Sequence, residues 1–184
     1  MAGHWHSGGD GGRGLYWGVL RLRSIMEDLD ELVEAFLQAF DNRDGTARLR
    51  QVTDLFGDGA VVFRVEGAQI DSMTVEAFVA PRQELLASGR VVGFHEWEVA
   101  GRTFRFGSLA VRVSRYAKRW TEGGTAQSGQ GWKLLLLHRA AQGWRIMALA
   151  WSDEADGLPM DSAQWSERGT VDSGDREPGY GSVP

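Results

Sequence analysis

The chain predicts an α+β domain in which N-terminal helices pack on one face of a curved, mainly antiparallel sheet. Three observations lead there. Apolar residues recur at spacings of three and four from Met26 to Phe40, which is the period of one buried helix face. From Val91 to Ser152 the sequence turns to β-branched and aromatic residues, broken by "FGS", "EGGT" and "AAQG", the pattern of strands joined by hairpins. Helices come first and the meander afterwards, and that segregation is the α+β arrangement.

The first helix takes its apolar stripe from Met26, Leu29, Leu32, Val33, Phe36, Leu37 and Phe40. Glu27, Asp28 and Glu31 stand in its first turns, where the helix dipole favours negative charge. "DNRDG" ends it, and a second helix is expected to carry Leu49, Val52, Leu55 and Phe56 up to the turn "GDG". "AVVFRVEG" then reads as a strand. "DSMTVEAFVAPRQELLASG" reads as helical on either side of Pro81, with the proline opening a new turn because it is tolerated at a first helical position. Four long antiparallel strands are expected near 92–105, 108–121, 126–139 and 144–152.

At 184 residues the chain suits one domain with a core of its own. Residues 1–25 are Gly-rich and carry no hydrophobic period, while 156–184 hold six acids, two arginines and three of the four prolines. Both ends are expected to be disordered, which leaves 26–155 as the packed domain. Net charge is −5 and cysteine is absent, so there is no disulfide framework, thiolate metal site or cysteine nucleophile. A cytoplasmic location fits that composition. The body between the tails is nearly balanced, with 18 acids and 15 bases, so no basic footprint marks a nucleic-acid partner. No apolar run approaches the roughly 20 residues of a membrane span.

The pieces "LVEAFLQAFDNRD", "DLFGDGAVVF", "PRQELLASG", "FHEWEV", "FGSLAVRVSRY", "GQGWKLLLL" and "GWRIMALAWSDE" follow one another in an order that resembles the nuclear transport factor 2-like superfamily. Within it, they resemble most the SnoaL-like, ketosteroid-isomerase-like branch. The resemblance spans about 26–155 and implies a cone-shaped α+β barrel, a pocket between helices and sheet, and a homodimer formed through the sheet. It also implies positions for an isomerase's carboxylate base, tyrosine and protonated acid. Here those positions fall on Arg64, Phe36 and Leu135, none of which can abstract a proton or hold an oxyanion in the required way. Ketosteroid-isomerase chemistry is therefore not expected. Trp151 stands where the branch has a pocket-lining tryptophan, and strand alternation would put Leu149 and Met147 on its face. The same residues would equally serve as core.

The stretch "HEWE" divides on a strand: His95 and Trp97 share one face, Glu96 and Glu98 the other. His95 and Trp97 are the expected pocket pair, with Glu96 and Glu98 outside, pairing with Arg112 or Arg115. His95, Tyr116 and Glu66 are the candidate catalytic residues; Phe36, Arg64, Trp97, Leu135, Met147, Leu149 and Trp151 are the candidate pocket lining. No metal site and no cofactor are expected. The leading reading is a protein that binds a small apolar or polyaromatic molecule. A dehydratase, cyclase or isomerase of the same fold, and a non-catalytic dimeric module, are the alternatives. An imidazole and a carboxylate in one closed cavity would favour the enzyme; apolar groups with Arg64 alone would count against it.

Overall fold

The structure, a computed structural model, describes residues 28–155. Both expected tails, 1–25 and 156–184, lie outside the described residues, apart from which the order of elements is helices and then a long meander.

Helix α1 (Leu29–Gln38) starts where the Asp28 carboxylate accepts from the Asp30 amide at 2.7 Å, satisfying one of the free donors of the first turn. Its apolar face buries Leu32, Val33, Phe36 and Leu37. The expected second helix forms as a tighter 3-10 helix (Leu49–Leu55), and Phe56 already belongs to strand β1 (Phe56–Glu66). The "GDG" turn is absorbed as an irregularity within β1, where Gly59 has a φ of 72°. A hairpin at Gly67 leads into β2 (Gln69–Thr74), so residues expected to be helical form a short edge strand instead. Helix α2 (Val75–Ala87) then runs through Pro81 without a break. Thr74 caps it by accepting from the Ala77 amide at 3.2 Å, and burial of Val75, Phe78, Val79 and Leu86 outweighs the hydrogen bond that proline cannot make.

The meander follows as β3 (Val91–Phe106), β4 (Leu109–Glu122), β5 (Thr125–Ala140) and β6 (Gly143–Asp153), close to the expected limits. The six strands form one open sheet in the order β2-β1-β6-β5-β4-β3, with β1 parallel to β6 and every other pair antiparallel. Both helices and the 3-10 helix pack on its inner face. Between them lies the core, with Phe36, Leu49, Val52, Val62, Leu135, Leu137, Trp144, Ile146 and Leu149 almost wholly buried. Edge-to-face aromatic contacts link Phe56, Phe36, Phe40, Phe78 and Trp151, with centroids 5.4–6.1 Å apart.

Of the three register shifts in the meander, two decide which residues face the cavity. In β3 the pairing passes from Val92–Thr121 to His95–Arg119, three steps against two, with Gly93 at a φ of 65°. That extra residue turns Phe94, Glu96 and Glu98 inward. In β6 the pairing passes from Leu136–Ala148 to Leu137–Ile146, so Met147 is the unpaired residue and the inward set changes from Leu149 and Trp151 to Ile146 and Trp144.

Candidate functional site

A cavity of about 260 Å³ opens between α2 and the inner face of β3–β6. Its wall is apolar and mostly aromatic: Phe40, Phe78, Phe94, Trp120, Leu149 and Trp151. Its floor is charged, and the way the sheet builds that floor follows from pairing. Tyr116 on β4, Gly131 on β5 and Asp153 on β6 stand side by side across three strands. A Cβ on Gly131 would lie 2.7 Å from the Tyr116 hydroxyl oxygen and 2.3 Å from the Ser152 carbonyl. Glycine therefore leaves the notch through which Tyr116 reaches across β5 and donates to the Asp153 carboxylate. Gly129 does the same for Lys118, whose Cε would be 2.9 Å from a Cβ there and whose Nζ donates to Asp153 at 2.6 Å.

Lys133 crosses in the opposite sense. From the inner face of β5, its Nζ passes 3.2 Å above the centroid of the Tyr116 ring and bonds Glu96 Oε1 on β3 at 2.5 Å. Only 6% of either side chain is exposed. Burial pushes the Lys133 ammonium below the ordinary lysine value; Glu96 opposes that shift without cancelling it, and the Lys118 charge adds to it. Burial and the Asp153 carboxylate push the Tyr116 phenol far above the ordinary tyrosine value, so it remains a proton donor. Asp153 is itself driven up by burial, yet the hydrogen bonds from Lys118 and Tyr116 leave it below the ordinary aspartate value.

Arg82 of α2 forms part of the rim. Its guanidinium lies 4.2 Å from the Phe78 centroid and 5.0 Å from that of Trp151, and its Nη1 donates to the Phe78 carbonyl at 2.8 Å. The lining carboxylates are each matched: Glu96 by Lys133, Asp153 by Lys118, and Glu122 by Arg90 at 3.5 Å. Among the described residues, Arg82 makes no ion pair. Burial and the Arg64 charge lower its proton affinity, and the Asp153 and Glu96 carboxylates nearby oppose that shift without cancelling it.

The sequence-derived candidates are distributed as follows. Tyr116, Leu149 and Trp151 line the cavity. Phe36 and Leu135 are buried in the core and do not reach it. Met147 is displaced by its bulge and packs with its sulfur against Gly57. Arg64 and Glu66 form an exposed ion pair with each other on β1. The β3 bulge inverts the expected orientation of "HEWE": His95 and Trp97 stack on each other at 4.9 Å outside the cavity, with Arg119 5.6 Å from Trp97, while Glu96 turns in. Glu98 pairs with Arg112, as its sequence position suggested, and Arg112 also reaches Asp30 at 3.0 Å.

Glu96, Lys118, Lys133, Asp153 and Arg82 are the site residues that the sequence reading passed over. Lys133 carried a legible signal, because it shares strand parity with Leu135 and Leu137 in "GWKLLLL", and a charge on a buried face needs a partner. Gly93 carried another, since a glycine within a strand marks a bulge.

No protein-family model matches the sequence, and no curated protein matches it. Solved structures do resemble the fold. A nuclear transport factor 2-like protein with a cystatin-like fold from Novosphingobium aromaticivorans is 17% identical, with a TM-score of 0.53 over 78% of this chain and 91% of that one. A nuclear transport factor 2-like superfamily protein from Salmonella enterica serovar Typhimurium is 13% identical, with a TM-score of 0.54 over 74% and 94%. A protein from N. aromaticivorans described as a candidate beta subunit of an aromatic-ring-hydroxylating dioxygenase is 13% identical, with a TM-score of 0.55 over 75% and 92%. The order of elements, the open six-stranded sheet under its helices and these neighbours together give the chain the nuclear transport factor 2-like α+β fold.

Proposed function

We propose that the chain binds one small, mainly cyclic molecule with an acidic substituent in the cavity beneath α2. One observation carries the reading: an aromatic wall faces a rim whose guanidinium, Arg82, makes no ion pair among the described residues, whereas Arg64, Lys118 and Lys133 nearby each make one. Aromatic and apolar lining supplies burial energy, and a few placed polar groups orient the ligand. The volume of about 260 Å³ falls just below the roughly 300–1,000 Å³ of typical small-molecule sites, so a one-ring compound fits better than the polyaromatic one expected from sequence. The similarity to the dioxygenase-subunit structure is one of fold and names no ligand.

Trp120 and Trp151 border the cavity, so their fluorescence reports occupancy. Saturable quenching by benzoate is expected, with binding of benzyl alcohol about tenfold weaker or more. Arg82→Gln should erase that preference. Equal affinity for acid and alcohol, unchanged by Arg82→Gln, would remove the acidic substituent from the reading; failure of both to bind would remove the ligand site.

The outer sheet face supports a second copy of the chain as partner. Phe104, Val111, Leu136, Ala148 and Val61 form one cross-strand row, and Val113, Leu134, Ala150 and Phe63 form the next. Phe104, Leu134 and Leu136 are 74%, 48% and 38% exposed, an apolar surface spanning five strands that a symmetric partner would cover.

A further inference from the structure

Of the twenty basic residues in the chain, eighteen are arginine and two are lysine. Both lysines, Lys118 and Lys133, line the cavity. Among the described residues, every lysine-or-arginine position outside the cavity is arginine, so the cavity is the one described place where an amine replaces a guanidinium. The chemical difference is specific: a guanidinium stays protonated, whereas a buried amine can lose its proton and act as a nucleophile.

We propose that Lys133 is an amine nucleophile that condenses with the carbonyl group of a small aldehyde or ketone held in the cavity. The proposal rests on the reading of that cavity as a ligand site. Lys133 is the better placed of the two lysines. Its side chain is 6% exposed against 20% for Lys118, and the Asp153 carboxylate beside Lys118 already accepts from Tyr116, which leaves it the weaker proton acceptor. Glu96 lies 2.5 Å from the Lys133 amine, within reach to accept its proton. Proton transfer within this buried pair replaces two charges by two neutral groups and so relieves their desolvation.

The free amine then attacks the carbonyl carbon. A C–N bond forms, the carbonyl π pair moves to oxygen, and the proton that the now positive nitrogen gives up goes to that oxygen, which yields a neutral carbinolamine. Loss of the hydroxyl with a second proton, returned by Glu96, breaks the C–O bond. One carbonyl compound and one amine give one imine and one water, with no change of oxidation state. The Tyr116 ring, 3.2 Å beneath the amine, attracts the cationic iminium by its π face.

The scarcity of lysine makes the test direct, because the full chain presents two ε-amines and one terminal amine. The protein is incubated with benzaldehyde or 4-formylbenzoate and cyanoborohydride, and adducts are mapped by peptide mass spectrometry. One adduct per chain on Lys133 is expected, suppressed about tenfold or more by saturating benzoate. Lys118→Arg should retain it and Lys133→Arg should lose it. The labelling rate should rise with pH with its midpoint below the ordinary lysine value of 10.5. Circular dichroism and a cooperative urea transition establish that Lys133→Arg is folded; if it is not, the Lys118→Arg chain carries the test through its adduct position and pH profile. Adducts formed faster on Lys118 or the terminus overturn the proposal, as does an absence of adducts while benzoate still binds. Loss of benzoate binding in the wild-type chain is a different result and overturns the cavity reading as well.

Discussion

Lys133 and Glu96 have each given up nearly all of their water, and what makes that tolerable is the other's charge. Removing one partner leaves a buried ion with no counter-charge, which costs about 3–5 kcal/mol, whereas removing both is often nearly neutral. Lys133→Met should therefore lower unfolding stability in urea by that amount, and Glu96→Gln/Lys133→Met should recover most of it. Equal losses in the single and double variants would show that the pair's attraction contributes little. Asp153 has a different signature, in pH. Its carboxyl is held below the ordinary aspartate value of 3.8 because the Lys118 and Tyr116 hydrogen bonds outweigh burial. As pH falls through 3.8 the unfolded chain takes up this proton first, so the contribution is present above that value and is lost as pH approaches the lower, folded one. Wild-type stability should exceed that of Asp153→Asn at pH 6 and the two should converge in acid, read by denaturation at a series of pH values. Parallel curves would exclude the linkage.

Asn42 sets the relative position of three elements. Its Nδ2 donates to the Val91 carbonyl at 2.8 Å and the Leu86 carbonyl at 3.2 Å, and its Oδ1 accepts from the Phe94 amide at 2.6 Å. The loop after α1 is thereby fixed to the end of α2 and the bulged start of β3. Asn42→Ala should cost about 3 kcal/mol, since each buried group left unpaired costs about 1–3 kcal/mol, and amide exchange at Phe94 should quicken with it. A change within experimental error would show that the helices alone position β3. Nothing in "DNRDG" announced that role, because the partners of Asn42 lie more than forty residues away. The long strands and α1 were legible, since each spans several periods of its pattern. The short strand β2 was not: "QIDSMT" alternates too briefly to be distinguished from the start of α2, and only its hairpin with β1 defines it. The face assignments failed at the two bulges for one reason. Alternation carries orientation along a strand only while every residue is paired, and Gly93 and Met147 each advance the phase by one.

At the scale of the whole described domain, one sheet presents two different faces, a concave one beneath the helices and an apolar outer one. If a second copy covers the outer face, light scattering should give the mass of a dimer, and Leu134→Glu/Leu136→Glu should yield a monomer whose cavity still binds benzoate, since both side chains point away from it. A monomeric wild-type chain would refute the dimer. The inner face has its own vulnerability, rooted in the bulge of β3 rather than in any side chain of the site. At constant length, a β-branched residue in place of Gly93, whose φ is 65°, would oppose the bulge, and alternation running unbroken from Val91 would bring an imidazole and an indole into the cavity and expel Glu96. Lys133 would then be buried without an anion, although no residue of the site had been altered. Deleting Gly93 removes the extra residue instead, so that "HEWE" keeps its present pairing with β4. Relatives of this chain that are one residue shorter there should therefore keep the buried pair, whereas relatives of equal length that have lost the glycine should differ also at the position of Lys133.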